Sequence, residues 1–192
     1  MERIAIFASG NGSNAENIIR YFQANPGLGE VVLVVCNRPG AGVIERAARL
    51  GVDVRVMSRA EINDPSVMLP LMESHAVGFI VLAGFLLMVP SFLTERYHGR
   101  MLNIHPSLLP KFGGKGMYGR YVHEAVVAAG ETETGITIHL VSDECDGGRV
   151  VFQASVPVAP DDTPSDIEAK VHELERIHFP RVVGECLERL GI

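Results

Sequence analysis

Asn103 and His105 stand two residues apart in the run Met101-Leu102-Asn103-Ile104-His105-Pro106. On an extended strand, residues i and i+2 share a face, so an amide and an imidazole here would reach one reacting atom together. An asparagine N–H stabilises a developing oxyanion without carrying charge, and a histidine exchanges a proton near neutral pH. A second chemical run is Asp143-Glu144-Cys145-Asp146-Gly147-Gly148. It reads as a solvated hairpin turn, or, brought beside the Asn-x-His strand, as the source of a carboxylate that raises the His105 pKa and favours its protonated form. His139, just upstream, is either a second site imidazole or a hydrogen-bonded core residue.

A third run, Ser9-Gly10-Asn11-Gly12-Ser13-Asn14, lies between an apolar stretch and a helix start. Glycines let backbone approach an anion, and a helix N-terminus offers free N–H groups and partial positive charge. The lysine of a Walker loop is missing. Gly10, Gly12 and Ala15 fit G-x-G-x-x-A, yet Cys36-Asn37-Arg38 occupies the place where a dinucleotide's ribose needs a carboxylate. A single phosphate is the better fit. The competing reading is a turn that only caps the helix through Ser13 or Asn14.

Several chemistries find no support. His75, His98, His123, His172 and His178 share no ligand spacing, so no metal site is expected. No G-x-S-x-G elbow is present. The 3 cysteines form no C-x-x-C pair, which fits reduced thiols. A net charge of −6 disfavours a nucleic-acid partner. No run reaches the ~18 apolar residues of a membrane span, and the chain enters strand-like sequence at once. A cytoplasmic protein of small-molecule partners is expected.

These groups need a frame. Apolar runs at Arg3 to Ala8, Glu30 to Cys36, Asp53 to Met57 and Gly78 to Ala83 alternate with helical stretches from about Asn14 to Ala24, Val43 to Leu50 and Asp64 to His75. That order predicts an α/β, doubly wound, mostly parallel sheet. Met101 to Ile104 adds a short strand, followed by a loop of glycines and a helix over Val122 to Ala129. Thr134 to Val141 and Arg149 to Val156 predict an antiparallel hairpin in the C-terminal half, and a long helix runs from Pro164 to about Glu188. Residues 1–192 read as one domain.

Together the motifs resemble the folate-dependent phosphoribosylglycinamide formyltransferases, with a Rossmann-like formyltransferase fold. Asn103-Ile104-His105-Pro106-Ser107-Leu108-Leu109-Pro110 is the string of folate-linked formyl transfer, shared with methionyl-tRNA formyltransferases and formyltetrahydrofolate hydrolases. Ser9 to Asn14 carries the glycinamide-type phosphate loop, Val81-Leu82-Ala83-Gly84-Phe85 the middle block and Asp143 to Gly148 the acidic block. Phe112 to Gly119 departs from the family pattern.

The resemblance implies that Asn103, His105 and Asp146 are catalytic, with His105 protonated. It puts the substrate phosphate on Gly12, Ser13, Asn14, Ala15 and Glu16, and the rest of glycinamide ribonucleotide on Pro106, His172 and Glu175. Leu86, Leu87, Met88, Val89, Asn103, Ser142, Asp143, Glu144, Cys145 and Asp146 would form the folate pocket. It implies 10-formyltetrahydrofolate as co-substrate, no metal, and a monomer or homodimer, with residues 1–100 as the phosphate-binding half and 101–192 as the catalytic and folate-binding half. Two other readings remain: a formyltetrahydrofolate hydrolase, and a non-catalytic nucleotide-binding module.

Overall fold

The computed structural model describes residues 1–189, so the last three residues of the expected 1–192 span lie outside it. The elements run β1 (Glu2–Ala8), α1 (Ser13–Ala24), β2 (Gly29–Cys36), α2 (Gly42–Arg49), β3 (Asp53–Val56), α3 (Arg59–Ile62), α4 (Pro65–Ser74) and β4 (Phe79–Leu82). They continue with α5 (Ser91–Arg96), β5 (Met101–His105), α6 (Arg120–Ala128), β6 (Glu133–Leu140), β7 (Val150–Pro157) and α7 (Pro164–Arg189). The expected elements are all present. Two short helices, α3 and α5, carry too few periodic apolar positions to be read from the sequence; α3 is set by a local capping box between Ser58 and Glu61.

One sheet of 7 strands has the order β3-β2-β1-β4-β5-β6-β7. β1 to β5 pair in parallel, while β5 with β6 and β6 with β7 pair antiparallel. Alternation along β1 sends Ile4, Ile6 and Ala8 into the layer under α1, α2 and α7, and Ala5 and Phe7 into the layer under α4 and α5. β2 departs from strict alternation. Val31 and Leu33 are two apart yet face opposite layers, because the register against β1 jumps at Val32. One extra residue in a strand reverses the facing of everything after it.

The chain winds outward from β1 through β2 to β3, then returns to β4 on the other flank of β1. That reversal opens a crevice at the carboxyl ends of β1 and β4, where ligands of open α/β sheets bind. Its two lips are stitched together: the Ser9 N–H donates to the Gly84 carbonyl at 3.0 Å, and Ser9 Oγ accepts from the Leu86 N–H at 2.9 Å.

Candidate active site

β5 delivers Asn103 and His105 to this edge, and antiparallel pairing with β6 sets His139 directly opposite Asn103. Asn103 Nδ2 lies 3.0 Å from His139 Nε2. Asp146 arrives from the β6–β7 loop on a left-handed backbone, φ 55°. Its Oδ2 stands 3.5 Å from His105 Nδ1 and its Oδ1 3.7 Å from His139 Nε2. The Gly114 N–H donates to Oδ2 at 2.9 Å and fixes the carboxylate plane. His105 Nε2–H donates to the Phe112 carbonyl at 2.8 Å. Because a carbonyl only accepts, Nε2 must carry the proton, and Nδ1 is the free nitrogen of the neutral ring. The expected trio therefore converges, and the buried His139 ring lies against it.

The electrostatics correct one expectation. Burial is the largest influence on His105 and pushes its pKa below the ordinary histidine value, outweighing the upward pull of the Asp146 carboxylate and the Phe112 carbonyl. A charge loses more by leaving water than one carboxylate at this separation restores. His105 is thus held neutral in the free protein rather than protonated. For Asp146, burial works to raise the pKa, but the neighbouring His139 ring, the hydrogen bond from the Gly114 N–H and the field of His105 leave it below its usual range.

A small cavity of 90 Å³ opens against this cluster. Its lining combines apolar Leu87, Met88 and Val89 with Ser142, Glu144 and Cys145, and includes Asn103, His139 and Asp146 of the cluster. Two expected pocket residues point elsewhere. Asp143 accepts a hydrogen bond from Thr94 on α5, and Leu86 sits out in solvent with its N–H turned to Ser9. Local backbone direction in these turns, invisible in a motif, decides both.

The glycine loop leads into a larger cavity of 390 Å³ between α1, α2 and α7. Gly12 caps α1 with φ 82° and no side-chain cap, so neither Ser13 nor Asn14 serves as one. A Cβ on Gly12 would lie 2.5 Å from Val43 Cα. The first-turn N–H groups of Ser13, Asn14 and Ala15 have no helical acceptor, and the Ala15 side chain is buried in the core.

Glu16 does not fit the expected phosphate contact. Its N–H is bonded to the Gly12 carbonyl, and its carboxylate binds Arg20, Arg46 and Arg49. Hydrogen bonds from Arg20 and then Arg46 hold its pKa at about 2. It gathers cations instead. Arg20, Arg46 and Arg176 line the cavity and were not anticipated; the Glu16–Arg20 spacing of four residues was the available signal.

His172 and Glu175 both line the same cavity, whereas Pro106 lines neither cavity. Burial raises the Glu175 pKa, against the lowering by Asn14, whose Nδ2 donates to Glu175 Oε2 at 2.9 Å, and by His172. Among the described residues no group of three metal-ligating side chains comes together, and no helix is long and apolar enough to cross a membrane.

The sequence pattern of the formyl transferase family matches residues 2–183. The chain is 39% identical over 195 residues to the chloroplastic phosphoribosylglycinamide formyltransferase of Arabidopsis thaliana, covering 98% of this chain and 67% of that one. It spans 62% of a second chloroplastic relative, from Vigna unguiculata. The phosphoribosylglycinamide formyltransferase of Escherichia coli is 35% identical, with 94% of this chain and 85% of the relative covered. The crystal structure of the Streptococcus pneumoniae phosphoribosylglycinamide formyltransferase superposes with a TM-score of 0.84 at 36% identity over 100% of both chains.

Proposed function

The chain belongs to the formyl transferase family, and from that premise we propose that it transfers the formyl group of 10-formyltetrahydrofolate to the amine of glycinamide ribonucleotide in de novo purine synthesis. One observation carries the reading. The Asn103–His105–Asp146 cluster and the cation-walled cavity at the start of α1 lie on the same carboxyl edge of the sheet. An amine donor anchored by its phosphate and a flat folate held by apolar walls can meet there.

In this scheme the backbone N–H groups of Ser13, Asn14 and Ala15 hold the phosphate, with Arg20 and Arg46 supplying charge. Glu175 and His172 hold the glycinamide portion. The pterin packs on Leu87, Met88 and Val89, and Ser142, Glu144 and Cys145 offer polar contacts along its edge. The amine nitrogen bonds to the formyl carbon and an oxyanion forms. An Asn103 N–H stabilises that oxygen, while neutral His105 takes the amine's proton at Nδ1. The imidazolium so created lies beside Asp146, which offsets its charge during the step rather than before it. Collapse of the intermediate breaks the bond from carbon to N10 of the folate, and the proton passes through His105, a water and Asp146 to that nitrogen.

No step passes through a metal or a covalent enzyme intermediate. Residues 1–100 and 101–192 act as one unit on small molecules in the cytoplasm, as a monomer or homodimer, with neither nucleic acid nor membrane taking part. The test follows tetrahydrofolate formation from 10-formyltetrahydrofolate spectrophotometrically, with and without glycinamide ribonucleotide. Amine-dependent turnover is expected; formate release at the same rate without the amine overturns the reading in favour of hydrolysis.

A further inference from the structure

The His139 imidazole is nearly sealed from solvent, with its side chain 3% exposed. Both of its nitrogens are engaged. Nδ1 lies 3.0 Å from the Leu140 carbonyl, which can only accept, so Nδ1 carries the proton. Nε2 of the neutral ring is then an acceptor, and its partner at 3.0 Å is the Asn103 amide. That geometry discriminates between the two ends of the amide. With the carbonyl oxygen toward Nε2, two lone pairs would face each other at hydrogen-bond distance in a buried site, a cost of about 1–3 kcal/mol. With NH2 toward Nε2, one N–H is satisfied by His139 and the second is left for a ligand.

Asn103 has no other side-chain partner among the described hydrogen bonds. Without His139 its amide could turn over and present an oxygen to the developing oxyanion, converting a stabilising contact into a repulsive one. The β5–β6 pairing holds the two Cα atoms in register, so the orientation is built into the sheet. Gly148 leaves room for this arrangement: a Cβ there would lie 3.4 Å from His139 Nδ1 and 1.6 Å from the Leu140 carbonyl oxygen that anchors it.

We propose that His139 is a positioning residue for the formyl-transfer site, locking the Asn103 amide with its N–H toward the oxyanion through a fixed Nδ1–H tautomer. The inference rests on the formyl-transfer reading, and a double-mutant cycle separates the two. Wild type, His139→Ala, Asn103→Ala and the double variant are compared for kcat and for KM of both substrates. His139→Ala should lower kcat by roughly 10-fold with both KM values within about 2-fold, because only a transition-state contact is lost. In the Asn103→Ala background the same change should cost less than about 2-fold, since its route of action is already gone.

His139→Gln, whose amide oxygen can accept from Asn103, should recover part of the lost kcat. Nitrogen-15 NMR of histidine-labelled wild-type protein gives a second reading that needs no variant, and should show His139 as the Nδ1–H tautomer. Additive losses in the cycle, an effect falling on KM, or an Nε2–H tautomer each overturn the proposal. Absence of amine-dependent turnover in the wild type would instead overturn the underlying reading.

Discussion

His105 Nε2–H donates to the carbonyl of Phe112 at 2.8 Å, and this single bond decides which nitrogen of the imidazole can react. Nδ1 is left basic, facing Asp146 Oδ2 at 3.5 Å. The supporting carbonyl comes from a loop residue with φ 54°, in the stretch that departs from the family pattern.

A neutral base requires a particular pH dependence. The His105 pKa is lowered by burial, so the reactive neutral form dominates above the ordinary value near 6.5 and is lost only as pH falls through the lower, folded-state value. With glycinamide ribonucleotide saturating, which keeps Glu175 out of the measurement, kcat/KM for the folate should hold constant down to about pH 6.5 and decline below it. Asp146 pulls the His105 pKa upward, so Asp146→Asn should move the acid limb lower still. An acid limb above pH 7 would show that His105 is protonated in the resting protein.

Asn103→Ala, His105→Ala and Asp146→Asn should each cut turnover on the order of 100-fold, with KM for the ribonucleotide little changed. Groups acting in one proton path are not additive, so the double variant His105→Ala/Asp146→Asn should be little worse than the worse single one. Asp143→Asn touches only the contact to Thr94, and its turnover should stay within about 3-fold of wild type. Melting curves exclude unfolding. Near-normal turnover in folded His105→Ala would end the mechanism.

Phosphate should dominate recognition of the amine substrate. Calorimetric titration of glycinamide ribonucleotide against its dephosphorylated analogue should show a loss of roughly 100-fold or more for the analogue, the scale of two charge-assisted hydrogen bonds. Equal affinities would place the phosphate outside the cavity beside α1.

Gly12→Ala tests the loop that opens that cavity. Its left-handed φ of 82° and the 2.5 Å approach of a new Cβ to Val43 Cα leave a side chain no room. Backbone strain alone costs about 1–2 kcal/mol, and the clash with α2 adds to it. A fall in Tm of at least about 4 °C is expected, with weaker binding of the ribonucleotide. An unchanged Tm would mean the loop relaxes freely.

Turnover should survive exhaustive dialysis against a strong chelator, because the proposed path routes no charge through a metal. Loss of activity restored by zinc or magnesium would reveal a step carried by the ion.

The sequence by itself determined the architecture, since continuous apolar runs separated by amphipathic stretches have few ways to bury both faces of a sheet. It also determined that Asn103 and His105 share a strand face, because strand periodicity is local. Glycines at 10 and 12 likewise marked the start of α1. What it could not determine depended on distance and solvent. The Asp146 carboxylate and the buried ring of His105 come together only through the sheet, and whether charge attraction or desolvation wins there is set by packing density around them. His139 looked equally like core and site until antiparallel pairing set it against Asn103. Glu16 looked like part of an anion loop, yet its carboxylate collects arginines from α1 and α2, because helix packing brings Arg46 and Arg49 within reach. Local pattern fixes which groups are present on a face; tertiary contacts fix their protonation, their orientation and their partners.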